Sequence, residues 1–300
     1  MNILLTGGAG NVGAYVSREL SGHNMPHTAL DMREPATMPE SAQFAQCDLM
    51  DLKQTCEIVA GYDVVLHLAA IPNAFQDPPA HVMGVNMVTC YNVLEAARRN
   101  GIRRVVYAGS ESSTGFGIHD AVLKPRYLPI DEQHPLWPHE SYSFTKRFGE
   151  EMLENYARVF GIEGISLRYC GVWTRHIQSE LVEMVAPFKR GEKAAQPWFG
   201  SYVAGQDVAQ AVRLAAQYHF NGGEEIPFEA FFITAANTFY AEPTLDVMKR
   251  IYGDPPEVRD PAYYANNPCA SAFDIRKAQR LLGYAPRYDW REIEKWEAET

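Results

Sequence analysis

The feature that most constrains the fold is a glycine-rich turn between a short apolar run and an amphipathic segment. Gly7, Gly10 and Gly13 follow the apolar run Ile3–Thr6 and lead into a segment with helical periodicity, Val12–Leu20. Such glycines permit a tight turn, close approach of the backbone to a pyrophosphate, and close packing of the helix on the strand. The free N–H groups at the start of the helix would face the phosphates. The sequence therefore predicts a strand–turn–helix unit that binds a dinucleotide.

Apolar runs and helix-period segments alternate as far as about residue 170. We expect strands at Ile3–Thr6, His27–Asp31, Gln43–Cys47, Val64–Leu68, Arg104–Ala108 and Gly164–Arg168, and helices at Val12–Leu20, Leu52–Val59, Val85–Arg99 and Glu140–Phe160. Strands separated by helices form parallel sheets with helices on both faces, and nearly all-apolar strands fit that burial. This alternation predicts an α/β fold, a Rossmann-type doubly wound parallel sheet.

After residue 170 the pattern is less regular and richer in proline and aromatic residues. We expect helices at Leu181–Lys189, Asp207–Tyr218, Pro243–Ile251 and Asp274–Leu281, and a strand at Phe228–Thr234. The sequence thus predicts a cofactor-binding domain over residues 1–170 and a small substrate-covering lobe over residues 171–300, interleaved with the sheet.

Charge and cysteine content exclude several classes of protein. The formal net charge is −10, which disfavours nucleic acid and anionic membrane surfaces as partners. The five cysteines are widely spaced without a CxxC pair, which indicates reduced thiols and neither a disulfide framework nor a metal site. No apolar run approaches the ~20 residues that a membrane span needs. We expect a cytoplasmic protein.

Asp31 stands at the end of the second predicted strand, 18 residues after Gly13. A carboxylate at this position accepts hydrogen bonds from the ribose 2′-hydroxyl and repels a 2′-phosphate. The sequence therefore predicts NAD as the cofactor in preference to NADP, although Arg33, two residues further on, would soften that preference.

Tyr142 and Lys146 stand four residues apart in a predicted helix, so their side chains share one face. A neighbouring ammonium group favours a phenolate and lowers the pKa of a tyrosine. Tyr142 would then take a hydroxyl proton while hydride leaves the same carbon. Ser110–Ser113 follow the fifth strand at its carboxyl end, where open α/β sheets bind their ligands.

With these motifs the sequence resembles the extended short-chain dehydrogenase/reductase family, in its NAD-dependent epimerase/dehydratase group. The resemblance extends from Met1 to the segment 272–284 and includes the Tyr142/Lys146 pair, in which Lys146 would also hold the nicotinamide ribose. It implies a cofactor site formed by Gly7, Gly10, Asn11, Val12, Gly13, Asp31, Arg33, Asp48, Leu49, Leu68, Ala69, Ala70, Asn86, Tyr142, Lys146, Tyr169 and Val172.

The resemblance also implies a catalytic serine. Matching Phe116-Gly117 to the family's Tyr-Gly pair places this role on Ser112, with Ser110 and Ser113 as alternatives. The same resemblance implies dimers in which the helices Val85–Arg99 and Glu140–Phe160 form a four-helix bundle.

Two departures bear on the substrate. Members that act on nucleotide sugars carry an asparagine where Gly171 stands and an arginine near Gly200, and both contact the diphosphate or nucleotide. Their loss favours a small sugar or sugar acid as substrate, as in the family's uronate dehydrogenases. The candidate substrate residues are Ile71, Asn73, Ser110, Glu111, Ser113 and Arg175.

Three functions remain open at this point. A dehydrogenase would oxidise a hydroxyl of a small sugar or sugar acid and release NADH. A nucleotide-sugar epimerase or dehydratase would keep its NAD tightly bound. A non-catalytic redox sensor would bind the dinucleotide alone, but it would not need Tyr142, Lys146 and a serine.

Overall fold

A computed structural model describes residues 1–116, 123–194, 199–222 and 225–299. Its strands are β1 Ile3–Thr6, β2 His27–Asp31, β3 Ala42–Gln46, β4 Val64–His67, β5 Arg104–Ser110, β6 Tyr127–Leu128, β7 Glu163–Tyr169, β8 Gly171–Trp173, β9 Tyr202–Ala204, β10 Phe228–Ile233 and β11 Glu257–Val258. Its α-helices are α1 Asn11–Gly22, α2 Leu52–Val59, α3 Pro79–Asn100, α4 Ser141–Phe160, α5 Gln178–Lys189, α6 Gly205–Ala216, α7 Thr244–Tyr252, α8 Pro261–Asn266 and α9 Arg276–Leu282. Gly117, used above to align the serines, lies outside the described residues.

The centre of the molecule is a seven-stranded sheet in the order β10-β7-β5-β4-β1-β2-β3. Every neighbouring pair in it is parallel. One apolar core joins the sheet to α1 and α6, and a second joins the opposite face to α2, α3 and α4. The predicted doubly wound Rossmann-type sheet with helices on both faces is therefore confirmed.

The strands and helices predicted for residues 1–170 are all present, with small differences at their ends. The largest difference is in α3, which begins six residues before the predicted Val85, because Pro79 can occupy the first helical turn without losing a hydrogen bond. The two- and three-residue strands β6, β8, β9 and β11 were not predicted. They are too short to produce a period-two pattern.

The part of the chain after residue 170 contributes to both the sheet and a separate layer. β10 extends the central sheet beside β7, and α6 packs on α1. A third core, rich in aromatic rings, gathers Trp173, Tyr202, Phe239 and Trp290 beside the small β8–β9 sheet. None of the described helices is both long enough and apolar enough to cross a bilayer.

A capping box fixes the start of α4, the helix that carries Tyr142 and Lys146. The Glu140 side chain accepts hydrogen bonds from the backbone N–H groups of Tyr142 and Ser143, and the Ser143 hydroxyl accepts one from the Glu140 N–H. These contacts satisfy N–H groups that a helix start otherwise leaves unpaired. Tyr142 consequently lies in the first turn, beside the end of β5.

A buried ion pair attaches α4 to β7. Arg168 donates to both oxygens of Glu150, at 2.7 Å and 3.0 Å, and Ser166 donates to the same carboxylate. Burial raises the pKa of Glu150, but the charge and hydrogen bonds of Arg168 outweigh it and hold the pKa below its ordinary value. Because its guanidinium is occupied by Glu150, Arg168 belongs to the scaffold that positions α4.

Replacing Arg168 by methionine should lower the free energy of unfolding by about 3–5 kcal/mol, because Glu150 would remain buried without its counter-ion. Urea unfolding followed by circular dichroism measures this change. Arg158→Met, at the exposed Arg158–Glu154 pair, is the control and should change stability by less than about 1 kcal/mol. Equal effects of the two substitutions would show that the buried pair is dispensable.

Candidate active site

The carboxyl ends of β1, β4, β5 and β7 meet at one edge of the sheet and open into a cavity of about 670 Å³. The walls of this cavity come from the glycine turn, from β5 and the turn after it, from α4, and from the lobe. The lining residues used below are Gly7, Gly10, Asn11, Val12, Gly13, Leu68, Ala70, Asn73, Ser110, Glu111, Ser112, Phe116, Tyr142, Lys146, Tyr169, Cys170, Gly171, Val172, His176, Phe199, Gly200 and Phe273.

The glycine turn is shaped so that a side chain would fill it. Gly7 has a φ of +72°, and an added Cβ would lie 2.8 Å from the Ala69 nitrogen. A Cβ on Gly13 would lie 2.2 Å from the Gly7 carbonyl oxygen. Gly10 is the N-cap residue of α1, and it has no side chain that could bond the first N–H groups of the helix. The N–H groups that begin α1 therefore face the cavity unobstructed, which suits the diphosphate of a dinucleotide.

Asp31 ends β2 beside this turn. Its carboxylate accepts hydrogen bonds from the backbone N–H groups of Ala9, at 3.1 Å, and Met32, at 2.8 Å. The carboxylate is therefore held where a ribose next to the diphosphate would reach it. Of the other residues expected on the adenosine side, Arg33 and Asp48 are exposed and Leu49 is buried.

Asn86 is buried, and its side chain hydrogen-bonds the backbone of the segment that follows β4. Its amide accepts from the Ile71 N–H at 2.7 Å, donates to the Ile71 carbonyl at 3.1 Å, and donates to Thr145 at 3.2 Å. The structure thus makes Asn86 a link between α4 and the Leu68–Ile71 segment. Ile71 does not line the cavity, whereas Asn73 does and caps the turn that follows it.

Of the three serines, Ser110 is the one whose side chain lowers the pKa of the Tyr142 phenol. Its Oγ accepts from the Ser112 hydroxyl at 2.8 Å. Ser112 lines the cavity one step further from Tyr142. Ser113 is buried, bonds the Ser110 carbonyl, and does not line the cavity.

Lys146 lies under Tyr142 and is buried. Its Nζ donates to the Ala108 carbonyl at 2.9 Å and lies 5.4 Å from the centre of the Tyr142 ring. Burial lowers the pKa of Lys146 to about 8. Burial likewise raises the pKa of Tyr142 well above its ordinary value, and the Ser110 hydrogen bond offsets this only in part. Among the protein's own groups, burial therefore outweighs the lowering of the Tyr142 pKa expected from the adjacent ammonium.

The substrate end of the cavity is aromatic. Phe116, Phe199 and Phe273 line it, with the first two rings stacked at 5.6 Å between centroids. Lys146 is the only lysine or arginine among the described lining residues. Arg175 is exposed on the 3₁₀ turn Arg175–Ile177, and it borders a separate small pocket beside Tyr15.

His176 also lines the cavity. Its imidazole hydrogen-bonds the Asn11 side chain at 3.0 Å and the Thr174 hydroxyl at 2.6 Å. Asn11 begins α1, so this contact joins the glycine turn to the lobe. No local motif marks His176, because the two segments that it connects are 165 residues apart in the chain.

The parallel sheet, the side-chain-free turn and the Tyr142/Lys146 pair at the carboxyl edge together define a dinucleotide-binding α/β enzyme. The family model described as "NAD dependent epimerase/dehydratase family" matches residues 3–228. The chain belongs to this family, and NAD is its cofactor.

Relatives fall into two groups. A UDP-glucose 4-epimerase of Corynebacterium glutamicum is 24% identical over 98% of this chain and 93% of its own length. A uronate dehydrogenase of Pseudomonas syringae pv. tomato is 30% identical over 55% of this chain and 58% of its own length. The crystal structure of a UDP-galactose 4-epimerase superposes with a TM-score of 0.69 at 26% identity, covering 100% of this chain and 98% of that one.

NAD⁺ should bind at least ten times more tightly than NADP⁺, a difference of about 1.4 kcal/mol, because Asp31 repels a 2′-phosphate. Asp31→Ala should narrow the gap mainly by admitting NADP⁺. Fluorescence titration with both cofactors measures the two dissociation constants. Glu34→Ala removes an exposed carboxylate three residues away and should leave the ratio unchanged. Equal affinities of the wild-type protein for both cofactors would contradict the role given to Asp31.

Proposed function

We propose that the protein is an NAD-dependent dehydrogenase that oxidises a hydroxyl group of a small free sugar or sugar acid and releases NADH. The observation that carries this proposal is the absence of arginine from the described lining of the cavity. A diphosphate carries two negative charges and is normally bound by charge-assisted hydrogen bonds, most often from arginine. Arg168 is occupied by Glu150, and Arg175 is exposed and borders the adjacent small pocket beside Tyr15.

Two glycines support the same choice. Gly171 and Gly200 stand where the resemblance to nucleotide-sugar enzymes expects an asparagine and an arginine, and both line the cavity. Neither offers a side chain to a diphosphate. The aromatic rings at this end instead suit the C–H face of a small sugar ring, which an aromatic ring can cover without charge.

The catalytic roles follow from the contacts around Tyr142. When bound, NAD⁺ supplies the hydride acceptor. Tyr142 takes the proton of the substrate hydroxyl, Ser110 orients that hydroxyl, and Ser112 supports Ser110 through their mutual hydrogen bond. Lys146 contributes positive charge below the phenol, and the family resemblance also assigns it to the nicotinamide ribose. We therefore assign the orienting role to Ser110 and a supporting one to Ser112.

Tyr142→Phe should lower kcat by about 10²–10⁴-fold, because it removes a positioned general base, and should leave NAD⁺ affinity within about threefold. Ser110→Ala should lower kcat more than Ser112→Ala, since Ser110 is the serine that acts on the pKa of the phenol. Steady-state NADH absorbance and NAD⁺ titration measure the two quantities. A near-normal kcat in Tyr142→Phe would refute the assignment, and a larger effect of Ser112→Ala would return the catalytic role to Ser112.

The second candidate function is a nucleotide-sugar epimerase with tightly retained NAD. It is favoured by the epimerase relatives, which span nearly the whole chain, whereas the uronate dehydrogenase match covers little more than half. Both functions use the same cofactor and the same Tyr142/Lys146 pair, so the substrate end of the cavity decides between them.

We also propose a homodimer and a cytoplasmic location. Val88, Tyr91 and Phe148 expose apolar surface on the neighbouring helices α3 and α4, as a four-helix bundle between two copies would require. All five cysteines are free thiols, which suits a reducing compartment.

A screen of NAD⁺ reduction separates the two functions. D-glucose, D-galactose and their uronic acids should include substrates that yield NADH, whereas UDP-glucose and UDP-galactose should yield neither NADH nor each other. UDP alone should leave the melting temperature unchanged, because a ligand that does not bind the native state does not stabilise it. Tyr142→Phe is the control for background reduction. Interconversion of the two UDP-sugars without NADH release would establish the epimerase instead.

A further inference from the structure

Glu111 lies in the candidate active site, and none of the described side chains forms an ion pair with it. It begins the 3₁₀ turn Glu111–Thr114 directly after β5, between Ser110 and Ser112, and it lines the same cavity as Tyr142. Its Oε2 is buried with no hydrogen-bond partner among the described residues, whereas the residue as a whole is partly exposed at the cavity wall. A buried polar atom left unpaired costs free energy, so its retention in a cavity wall indicates a contact with a ligand.

Glu150 shows how this chain treats a glutamate that serves only the scaffold. Glu150 is more deeply buried than Glu111, and Arg168 and Ser166 supply it with three hydrogen bonds and a full counter-charge. Glu111 has no comparable neighbour, because Lys146, the only described lining lysine or arginine, donates to the Ala108 carbonyl beneath Tyr142. The presence of a glutamate at position 111 is therefore not explained by an ion pair with the scaffold.

Burial keeps the Glu111 carboxyl group mainly in its protonated, neutral form. Burial raises its pKa to about 8, and the titratable groups that feel its charge are the Tyr142 phenol and the Cys170 thiol. At neutral pH the group is mainly protonated and offers one O–H donor and one carbonyl acceptor. A hydroxyl group, itself a donor and an acceptor, matches this pair.

We propose that Glu111 determines substrate specificity by hydrogen-bonding a second hydroxyl group, adjacent to the reacting one, of an uncharged sugar. This inference rests on the proposed dehydrogenase function and narrows it from sugars and sugar acids to neutral sugars. The adjacency follows from the chain, since Glu111 immediately follows Ser110, the serine that acts on the pKa of Tyr142. A substrate carboxylate at this point has no hydrogen to donate, so it would leave the Glu111 carbonyl oxygen unpaired, and it would be repelled whenever Glu111 is ionised.

The test takes the anomeric hydroxyl as the reacting one, so the adjacent hydroxyl is the one at C2. The 2-deoxy sugars lack only this group, and the uronates test the preference for an uncharged substrate. D-galactose is paired with 2-deoxy-D-galactose and D-galacturonate, and D-glucose with the same two derivatives, in NADH-release assays of the wild type, Glu111→Gln and Glu111→Ala. Glutamine keeps one donor and one acceptor at nearly the same places, whereas alanine removes both. Glu132→Gln is the matched control, because Glu132 is a glutamate that binds the Phe232 N–H outside the cavity.

We expect Glu111→Ala to raise KM for the neutral sugar about 3–10-fold, because the loss of one neutral hydrogen bond weakens binding by about this factor. The change in kcat should be smaller. Glu111→Gln should restore KM to within about threefold of the wild type. The preference of the wild type for the sugar over its 2-deoxy form should disappear in Glu111→Ala and persist in Glu132→Gln. Galacturonate and glucuronate should be poorer substrates than the neutral sugars.

The possible failures are distinct. If free sugars are oxidised but Glu111→Ala keeps the wild-type preference over the 2-deoxy form, or if the uronates are the better substrates, the role of Glu111 is refuted and the dehydrogenase function stands. If no free sugar yields NADH, the proposed function is refuted and the role of Glu111 falls with it.

Discussion

All seven strands of the central sheet run parallel, and this forces their carboxyl ends to one edge. The glycine turn follows β1, Asp31 ends β2, the segment with Leu68 and Ala70 follows β4, and the serines follow β5. None of these groups is near the others in sequence, and the sheet alone brings them together. Helix α4 must then be fixed against β5 and β7 so that its tyrosine reaches the same edge. The capping box at Glu140 and the Arg168–Glu150 pair provide that attachment.

The chemistry of the site depends on ionisable groups buried without counter-ions. Burial lowers the pKa of Lys146, raises that of Tyr142 and raises that of Glu111, so each is displaced toward its neutral form. An ammonium that binds the Ala108 carbonyl and sits near two aromatic rings responds strongly to any charge brought into the cavity. The arrival of a cationic cofactor ring is such a charge, and it favours the phenolate that the cofactor-free protein disfavours.

Much of the fold could be predicted from the sequence because its signals are local. Apolar runs such as Val64–His67, the glycines at 7, 10 and 13 and the Tyr142/Lys146 spacing each lie within a dozen residues. The contacts that the sequence did not predict are those between residues far apart in the chain. The choice between Ser110 and Ser112 depends on where α4 docks, the pairing of Arg168 depends on Glu150, and the His176–Asn11 contact joins segments 165 residues apart. Burial also outweighs the lowering of the Tyr142 pKa expected from Lys146, and no pattern of residue types reports depth.

The conformation and surroundings of Gly200 limit which side chains position 200 can accept. Its φ of +66° belongs to the left-handed region, and an added Cβ would lie 2.6 Å from the Tyr240 ring. Tyr240 in turn is buried in the aromatic core of the lobe. An arginine therefore cannot be regained here by one substitution, because the ring must move or be replaced first and the backbone must change its conformation. The proposed preference for small substrates thus involves two linked positions, because position 200 accepts a larger side chain only after position 240 has changed.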